Sequence, residues 1–316
     1  MRVMVTGASG FVGGALVPRL LDEGHHVRCL VRDPDRLVAP WRDRVQIVAG
    51  HVEDDQAVFR AADGCALAYY LVHQIEGAIG DLVERERIAA ASFRDAVELA
   101  GVRRIVYLGG LVDEAQLSRT SIHLYARQQA GEELRAGRVP VTELRAGIVI
   151  GAGSASFQLL RAAARTPVYV WAPWSGSMTQ PIALPDLLAL LRVVADDPRA
   201  AGEVLDIGGP DVLSYGQLVA TVRAELGFRP ARVVRVPYLP PEATAGAAAL
   251  AAGVDTTLTL GLLQSARVDA VVRDGLARIL YPRLAATRVH EAVRDAVLAT
   301  SPSAAQTDAD RPHAPA

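Results

Sequence analysis

The sequence predicts an α/β chain: a doubly wound parallel sheet followed by a small C-terminal cap and extra C-terminal helices. Three observations predict it. The first half alternates short apolar runs with amphipathic stretches, strand then helix. One run, residues 66–72, is apolar almost throughout, as expected of a strand covered on both faces. The first run, residues 3–5, breaks into Gly7, Gly10 and Gly13 before a helical pattern opens, which is how a strand turns tightly into a helix.

Taken in order, residues 11–23 read as the first helix, with Val12, Leu16, Leu20 and Leu21 on its apolar side and Gly24 as its stop. Strands follow at 27–31 and 45–49, a short helix at 57–62, the apolar strand at 66–72 and a long helix rich in Ala and charge at 82–100. A fifth strand at 104–108, a helix at 125–135 and a sixth strand at 141–145 complete the alternation. Right-handed crossovers then place a ligand crevice at the carboxyl ends of the strands. After Gly147 the pattern changes to a loop at 151–154, a helix at 157–165 and a stretch rich in Pro, Trp and Ser at 166–181. A helix at 184–195, a strand at 204–207, a helix from the N-cap Ser214 to Leu226 and a last strand at 233–236 follow. These pieces are expected to cap the carboxyl edge of the sheet. Trp171, Trp174 and Met178 read either as the wall of an apolar pocket or as packing within that cap.

Residues 243–263 approach transmembrane length, but Ala and Thr favour insertion little and Asp255 opposes it. A packed helical pair, or a surface that meets a membrane or a protein peripherally, is expected instead of an integral segment. From Ser301 onward Pro, Ala, Ser and Asp dominate, a composition that predicts disorder. Among 316 residues the net charge is −2, which leaves no basic surplus for nucleic acid. Cys29 and Cys65 read as small core residues, and no Cys/His cluster has metal-ligand spacing, so no metal is expected. No charged segment precedes an apolar one near Met1, which predicts a cytoplasmic protein.

The glycine turn carries the first functional reading. Gly7 lets the chain reverse, Gly10 lets the backbone approach a pyrophosphate, and Gly13 lets the helix pack against the strand, with free N–H groups facing the phosphates. A dinucleotide is the ligand this implies, and a plain structural turn is the alternative. The spacing is G-x-x-G-x-x-G, not G-x-G-x-x-G. At the end of the second strand, Val31 fills the slot where an NAD site places a carboxylate. Arg32 follows, suited to a 2′-phosphate, with Arg36 to assist and Asp33 near enough to neutralise it. NADP is therefore expected, with NAD possible. The fourth strand runs into Leu71, Val72 and His73, where backbone should line the nicotinamide ribose. His73 reads as an acid or polar anchor, or as a histidine held by a structural hydrogen bond.

The motifs VTGASGFVG (5–13), LVRDPDR (30–36), YLGGL (107–111), RAGIVIGAGSASF (145–157), QPIALPDL (180–187) and DIGGPDVLSYGQL (206–218) resemble the short-chain dehydrogenase/reductase superfamily of the extended and atypical kinds. The chain looks closest to the atypical NAD(P)H-binding branch. That branch includes NmrA-like redox sensors, quinone-reductase-like proteins and the Rossmann-like accessory subunit of respiratory complex I. The resemblance implies a Rossmann-type core over 1–150, an interleaved cap and substrate region over 151–238, C-terminal helices over 239–300 and the tail 301–316. It also implies that the Gly50-His51-Val52 run meets the adenine, although the superfamily's usual Asp is here His51. Together, Gly7, Ser9, Gly10, Phe11, Val12, Gly13, Arg32, His51, Val52, Leu71 and Gln129 are the expected cofactor contacts.

The superfamily's triad is a Ser after the fifth strand and a Tyr-x-x-x-Lys on the next helix. The Tyr exchanges a proton, the Lys lowers its pKa and holds the ribose, and the Ser orients the carbonyl. Here Gly109-Gly110 stands in the Ser position, Tyr125 in the Tyr position and Gln129 in the Lys position. Ser118, Thr120 or Ser121 would have to supply a hydroxyl, and Arg127 or Arg119 a positive charge. Gln180 and Asp186 match the stretch that returns a strand to the sheet and begins a helix. The expected function is an atypical NAD(P)H-dependent oxidoreductase passing hydride to a small apolar or quinone-like acceptor, with Tyr125 and His73 as catalytic candidates. The alternatives are an NAD(P)H-binding sensor or assembly protein without turnover, and an epimerase or dehydratase of nucleotide sugars.

Overall fold

The computed structural model describes residues 1–73, 81–112 and 121–300. The first half contributes strands β1 (Arg2–Thr6), β2 (His26–Val31), β3 (Gln46–Ala49), β4 (Leu67–Tyr70), β5 (Arg104–Gly110) and β6 (Val141–Ala146). Helices α1 (Phe11–Asp22), α2 (Asp55–Ala62), α3 (Leu82–Leu99) and α4 (Ile122–Arg135) lie between them. Beyond β6 come β7 (Val149–Ile150), α5 (Ala155–Arg165), β8 (Val168–Trp171), β9 (Met178–Thr179), β10 (Ile182–Ala183) and α6 (Leu184–Asp196). They are followed by β11 (Val204–Ile207), β12 (Leu213–Ser214), α7 (Tyr215–Glu225) and β13 (Arg232–Arg235). Four helices end the described chain: α8 (Pro241–Ala252), α9 (Thr256–Ser265), α10 (Leu276–Leu280) and α11 (Val289–Ala299).

The central sheet has seven strands in the order β11-β6-β5-β4-β1-β2-β3. Every pairing within it is parallel. This is the doubly wound α/β arrangement that the alternation predicts. The period of two along a strand explains how both faces are filled. On β1, Val3 and Val5 face α1 and α6, where Leu16, Leu20, Leu187 and Leu191 pack. Met4 faces the other way, into a layer built from Ala57, Ala61, Ala89, Phe93 and Leu134 of α2, α3 and α4. The Phe93 ring meets Tyr70 of β4 edge-on at 4.8 Å, and Tyr70 meets Tyr107 of β5 at 5.8 Å.

Two of the boundaries that differ from expectation have a local reason, and one assignment changes layer. β4 ends at Tyr70, because the Leu71 N–H leaves the ladder and donates to Thr6 Oγ1 at 3.2 Å. α4 begins at Ile122, before Tyr125, because the Ser121 side chain accepts from the Leu124 N–H and caps the helix. α6 and β11 fall in the stretch expected to form the cap but belong to the central layers. β11 pairs with β6 along Val204–Ile207, and α6 packs its leucines under the sheet.

The cap elements are small. β8 pairs with β13, and the Trp171 ring lies on Gly216 of α7, where a Cβ would come within 2.3 Å of it. Trp174 Nε1 donates to the Leu239 carbonyl at 3.1 Å. Both indoles pack cap elements together, the packing alternative of the two. Ser214 caps α7 with Gln217 as its reciprocal partner. The apolar stretch 243–263 forms a helical pair. Gly253 closes α8 in the left-handed region at φ 66°, and Asp255 caps α9. Among the described residues no helix is long and apolar enough to cross a membrane. The tail from Ser301, expected to be disordered, lies outside the described residues.

Phe93 is fully buried between α3 and the sheet. Phe93→Ala is expected to lower unfolding stability by about 3–5 kcal/mol, measured by urea titration with an unchanged slope.

Candidate functional site

The carboxyl ends of β1 and β4 meet at the glycine turn. Gly7 is in the left-handed region at φ 70°, and a Cβ there would sit 2.7 Å from the Leu71 carbonyl oxygen. A Cβ on Gly13 would come within 2.2 Å of the Gly7 carbonyl oxygen. The Gly10 N–H closes the turn on the same carbonyl at 2.9 Å. Thr6 Oγ1 donates to the Tyr69 carbonyl at 3.0 Å while accepting from Leu71, which ties the ends of β1 and β4 together. Gly10 is the N-cap of α1, has no side-chain cap, and is followed by no acidic residue in the first turn. The first N–H groups of α1 therefore face outward from a cradle that admits no side chain, which fits a pyrophosphate. Ser9 is exposed at its rim. The Phe11 ring is roofed by Gly151 and Gly153, where Cβ atoms would come within 2.7 and 3.0 Å of it.

At the end of β2, Val31 is buried and Arg32 is exposed. The Asp33 carboxylate accepts from the Asp35 N–H at 3.1 Å and pairs with Arg36 at 3.3 Å. After β3, His51 Nδ1 accepts from the Glu53 N–H at 3.3 Å, and Val52 is buried.

The positions of the usual triad hold different chemistry. A Cβ on Gly109 would be 2.8 Å from Glu143 Oε1, and one on Gly131 would be 2.7 Å from Glu143 Oε2. Glu143 is buried, bonded to Arg145 Nε at 2.9 Å and paired with Arg135. Its carboxylate fills the space beside Gly109 that a side chain there would need. The sequence contains no lysine, so no ammonium can stand beside Tyr125. Tyr125 is 40% exposed, and Gln129 Nε2 donates to Glu132 along the same outer ridge of α4 at 2.8 Å. The cation that lies over the end of β5 is Arg127. It donates to the Leu108 carbonyl, and the Tyr107 hydroxyl donates to the Arg127 carbonyl at 2.7 Å. Ser121 bonds Ser265 of α9 at 2.7 Å in addition to capping α4. Ser118, Arg119 and Thr120 lie outside the described residues.

At the end of β4, His73 Nδ1 lies 2.7 Å from Oε1 of the buried Glu86. The His123 ring meets His73 edge-on at 5.8 Å, and Gly261 of α9 lies so close to His123 that a Cβ would be 2.2 Å from its ring. Burial lowers the His73 pKa below 6.5 against the opposing effect of the Glu86 bond. His123 is lowered too, first by burial and then by His73. Sequence reading missed Glu86 and His123. A signal for Glu86 existed: Leu82, Glu86, Ala89, Phe93 and Val97 form one buried helical ridge, and a carboxylate stands on it. Gln180 and Asp186 are structural. Gln180 bridges the Gly209 carbonyl and the Val272 N–H at 2.7 and 3.0 Å, and Asp186 accepts from Thr287.

Residues 7–163 match a family model described as NAD(P)H-binding. A 3 beta-hydroxysteroid dehydrogenase/Delta 5-->4-isomerase of Mycobacterium tuberculosis is 33% identical over 108 residues, 34% of this chain and 28% of that protein. A ceramide reductase of Caulobacter vibrioides is 32% identical over 172 residues, 52% of each chain. The matches thus span about half or less of these relatives' lengths. Among solved structures, Citrobacter sp. triphenylmethane reductase with NADP(H) superposes with a TM-score of 0.70 at 18% identity, covering 94% of this chain and 100% of that one. A short-chain dehydrogenase/reductase superfamily protein from Agrobacterium tumefaciens with bound NAD gives 0.69 at 17%, covering 98% and 100%. A nucleoside-diphosphate-sugar epimerase from Staphylococcus aureus gives 0.72 at 14%, covering 93% and 100%.

Gly13→Ala drives a methyl into the Gly7 carbonyl, so it is expected to weaken NADPH binding at least roughly tenfold and to lower Tm, read by fluorescence titration and thermal melts.

Proposed function

We propose that this chain, which carries an NAD(P)H-binding domain with the fold of the short-chain dehydrogenase/reductase superfamily, is an atypical reductase. It prefers NADPH and reduces a small apolar or quinone-like acceptor. The observation that carries the reading is the uncapped, glycine-lined start of α1 pressed against Leu71 at the carboxyl edge. In this reading Gly7, Ser9, Gly10, Phe11, Val12 and Gly13 hold the pyrophosphate, and Arg32 holds the 2′-phosphate. His51 and Val52 border the adenine, while Leu71 and Gln129 border the nicotinamide ribose. Bound there, the reduced dinucleotide supplies a hydride. His73 is the side chain at that edge able to exchange a proton with the acceptor, and Tyr125, on the exposed ridge of α4, is the second candidate.

The acceptor class follows from what the site lacks. With Gly109-Gly110 in place of a serine and no lysine anywhere in the sequence, a Tyr–Lys pair cannot form. An acceptor whose reduced form is a stable anion, such as a quinone, makes the smallest demand for a proton. The same loss weighs against an epimerase or dehydratase, which needs the pair for oxidation of a sugar hydroxyl. The division into a binding core over 1–150, an acceptor-side cap over 151–238 and C-terminal helices over 239–300 belongs to this reading, with α6 and β11 moved into the core layers. A second reading, binding without turnover, is favoured by one observation: the Glu143 carboxylate, not a hydroxyl, stands beside the end of β5.

Titration with NADPH and NADH, followed by steady-state assays with menadione, tests these readings. Binding of NADPH with no oxidation by menadione supports the sensor and counts against the reductase. Arg32→Ala is expected to weaken NADPH roughly tenfold or more while changing NADH less than about threefold. Equal losses would remove Arg32 from the 2′-phosphate.

A further inference from the structure

His73 is held in a way that a structural hydrogen bond alone does not require. Its Nδ1 is 2.7 Å from Glu86, whose side chain is 2% exposed, while the imidazole keeps 16% of its own surface open. A carboxylate only accepts, so a Glu86 carboxylate fixes the hydrogen on Nδ1 and leaves Nε2 as the ring's other functional nitrogen. The edge-on His123 ring, itself wedged under Gly261, holds the imidazole from another side. The next residues back along the chain are Leu71, against the glycine turn, and Val72. A carboxylate-oriented imidazole therefore sits at the end of β4, where the proposed dinucleotide crosses the sheet edge.

We propose that Glu86 and His73 form the proton-exchanging dyad of this site, with Glu86 as the positioning residue, in place of the absent Tyr–Lys pair. The proposal rests on the reductase reading. In reduction, the Nε2–H bond of protonated His73 breaks, the proton forms an O–H bond on the acceptor oxygen, and the bonding pair stays on a neutral imidazole. The hydride and its electron pair come from the reduced dinucleotide, which is oxidised as the acceptor is reduced. In the reverse direction neutral His73 takes the hydroxyl proton.

The surroundings set the pH dependence. Among the described residues, the titratable and charged groups around His73 are Glu86 from α3 and His123 and Arg127 from α4. Beneath them, Tyr70 of β4 and Tyr107 of β5 are buried phenols. Burial holds Tyr70 well above 10 and Tyr107 up at about 12, so neither ionises near neutrality. Burial lowers the His73 pKa against the opposing pull of the Glu86 bond, and Arg127 adds to the lowering. The acid form is populated as pH falls, so reduction should quicken on the acid side.

The test uses the full-length protein, NADPH and menadione, together with NMR of the imidazole nitrogens in the presence and absence of NADP+. Wild type is expected to show His73 with hydrogen on Nδ1 and a rise in kcat/KM as pH falls through the His73 pKa. Glu86→Gln keeps the shape but removes the anion that stabilises the imidazolium. Its limb and the His73 pKa should move together to lower pH, with a roughly tenfold loss of kcat/KM at about pH 6 and less than about threefold change in KM for NADPH. His73→Gln should abolish the limb, and it serves as the control if Glu86→Gln loses its thermal transition. Turnover with an unchanged pH profile in both variants overturns the dyad and leaves the reductase reading standing. NADPH binding without menadione reduction at any pH overturns the reductase reading and the dyad's catalytic role with it. Failure to bind NADPH overturns both from the start.

Discussion

The close approach of Leu71 to Gly7 is the constraint on which the rest of the site depends. A single Cβ at Gly7 would meet the Leu71 carbonyl oxygen at 2.7 Å, and the Thr6 hydroxyl of β1 bonds both the Tyr69 carbonyl and the Leu71 N–H across the gap. At that contact β4 ends at Tyr70, and residues 71–73 lead from Gly7 to the His73–Glu86 bond. Two functions of the edge are thereby set by one crossing. The N–H groups of α1 are presented without a side-chain cap, and His73 is delivered to the end of β4, where Glu86 meets it. A longer β4 would have paired Leu71 and Val72 with neighbouring strands and left the glycine turn open.

The same edge shows why the usual triad is missing in physical terms. Glu143 is a buried carboxylate on β6 with two arginines bonded to it. Breaking such a network by removing one partner strands a charge, which costs several kcal/mol, roughly 3–5. The glycines at 109 and 131 are therefore the residues that leave room for it, not a neutral loss of serine. Arg127 is placed over the end of β5 by its guanidinium bond to the Leu108 carbonyl and by the Tyr107 hydroxyl, which donates to the Arg127 carbonyl. The edge is not stripped of polar groups; its charges are arranged differently.

Much of the fold was legible because it follows from periodicity. The strand at 204–207 and the Ser214 cap stand where they were expected, and the turn from β1 into α1 opens at the expected glycines. That this strand and α6 join the central layers and not a cap was not legible, since a short apolar run does not say which sheet it joins. In the site, the glycine turn and the gap in the triad could be read residue by residue. The roles of Glu86 and Glu143 could not, because each depends on a partner distant in sequence. Glu86 belongs to the charge-rich VERER run, which reads as a solvated surface until the ridge from Leu82 to Val97 is seen to be buried. Tyr125 shows the reverse case: motif spacing singled it out, while the packing of α4 places it on an exposed ridge and turns Arg127 toward the sheet.

The C-terminal helices, which the sequence left without a role, bear on the electrostatics of the same edge. Gly261 of α9 lies on the His123 ring, and Ser265 bonds Ser121 at the N-terminus of α4. Burial is the first cause of the lowered pKa at both His73 and His123, and α9 supplies part of that burial at His123. His123 in turn lies edge-on to His73. The α8–α9 pair is thus tied to the N-terminal turn of α4 through Gly261 and Ser265, which joins the apolar stretch 243–263 to the same edge.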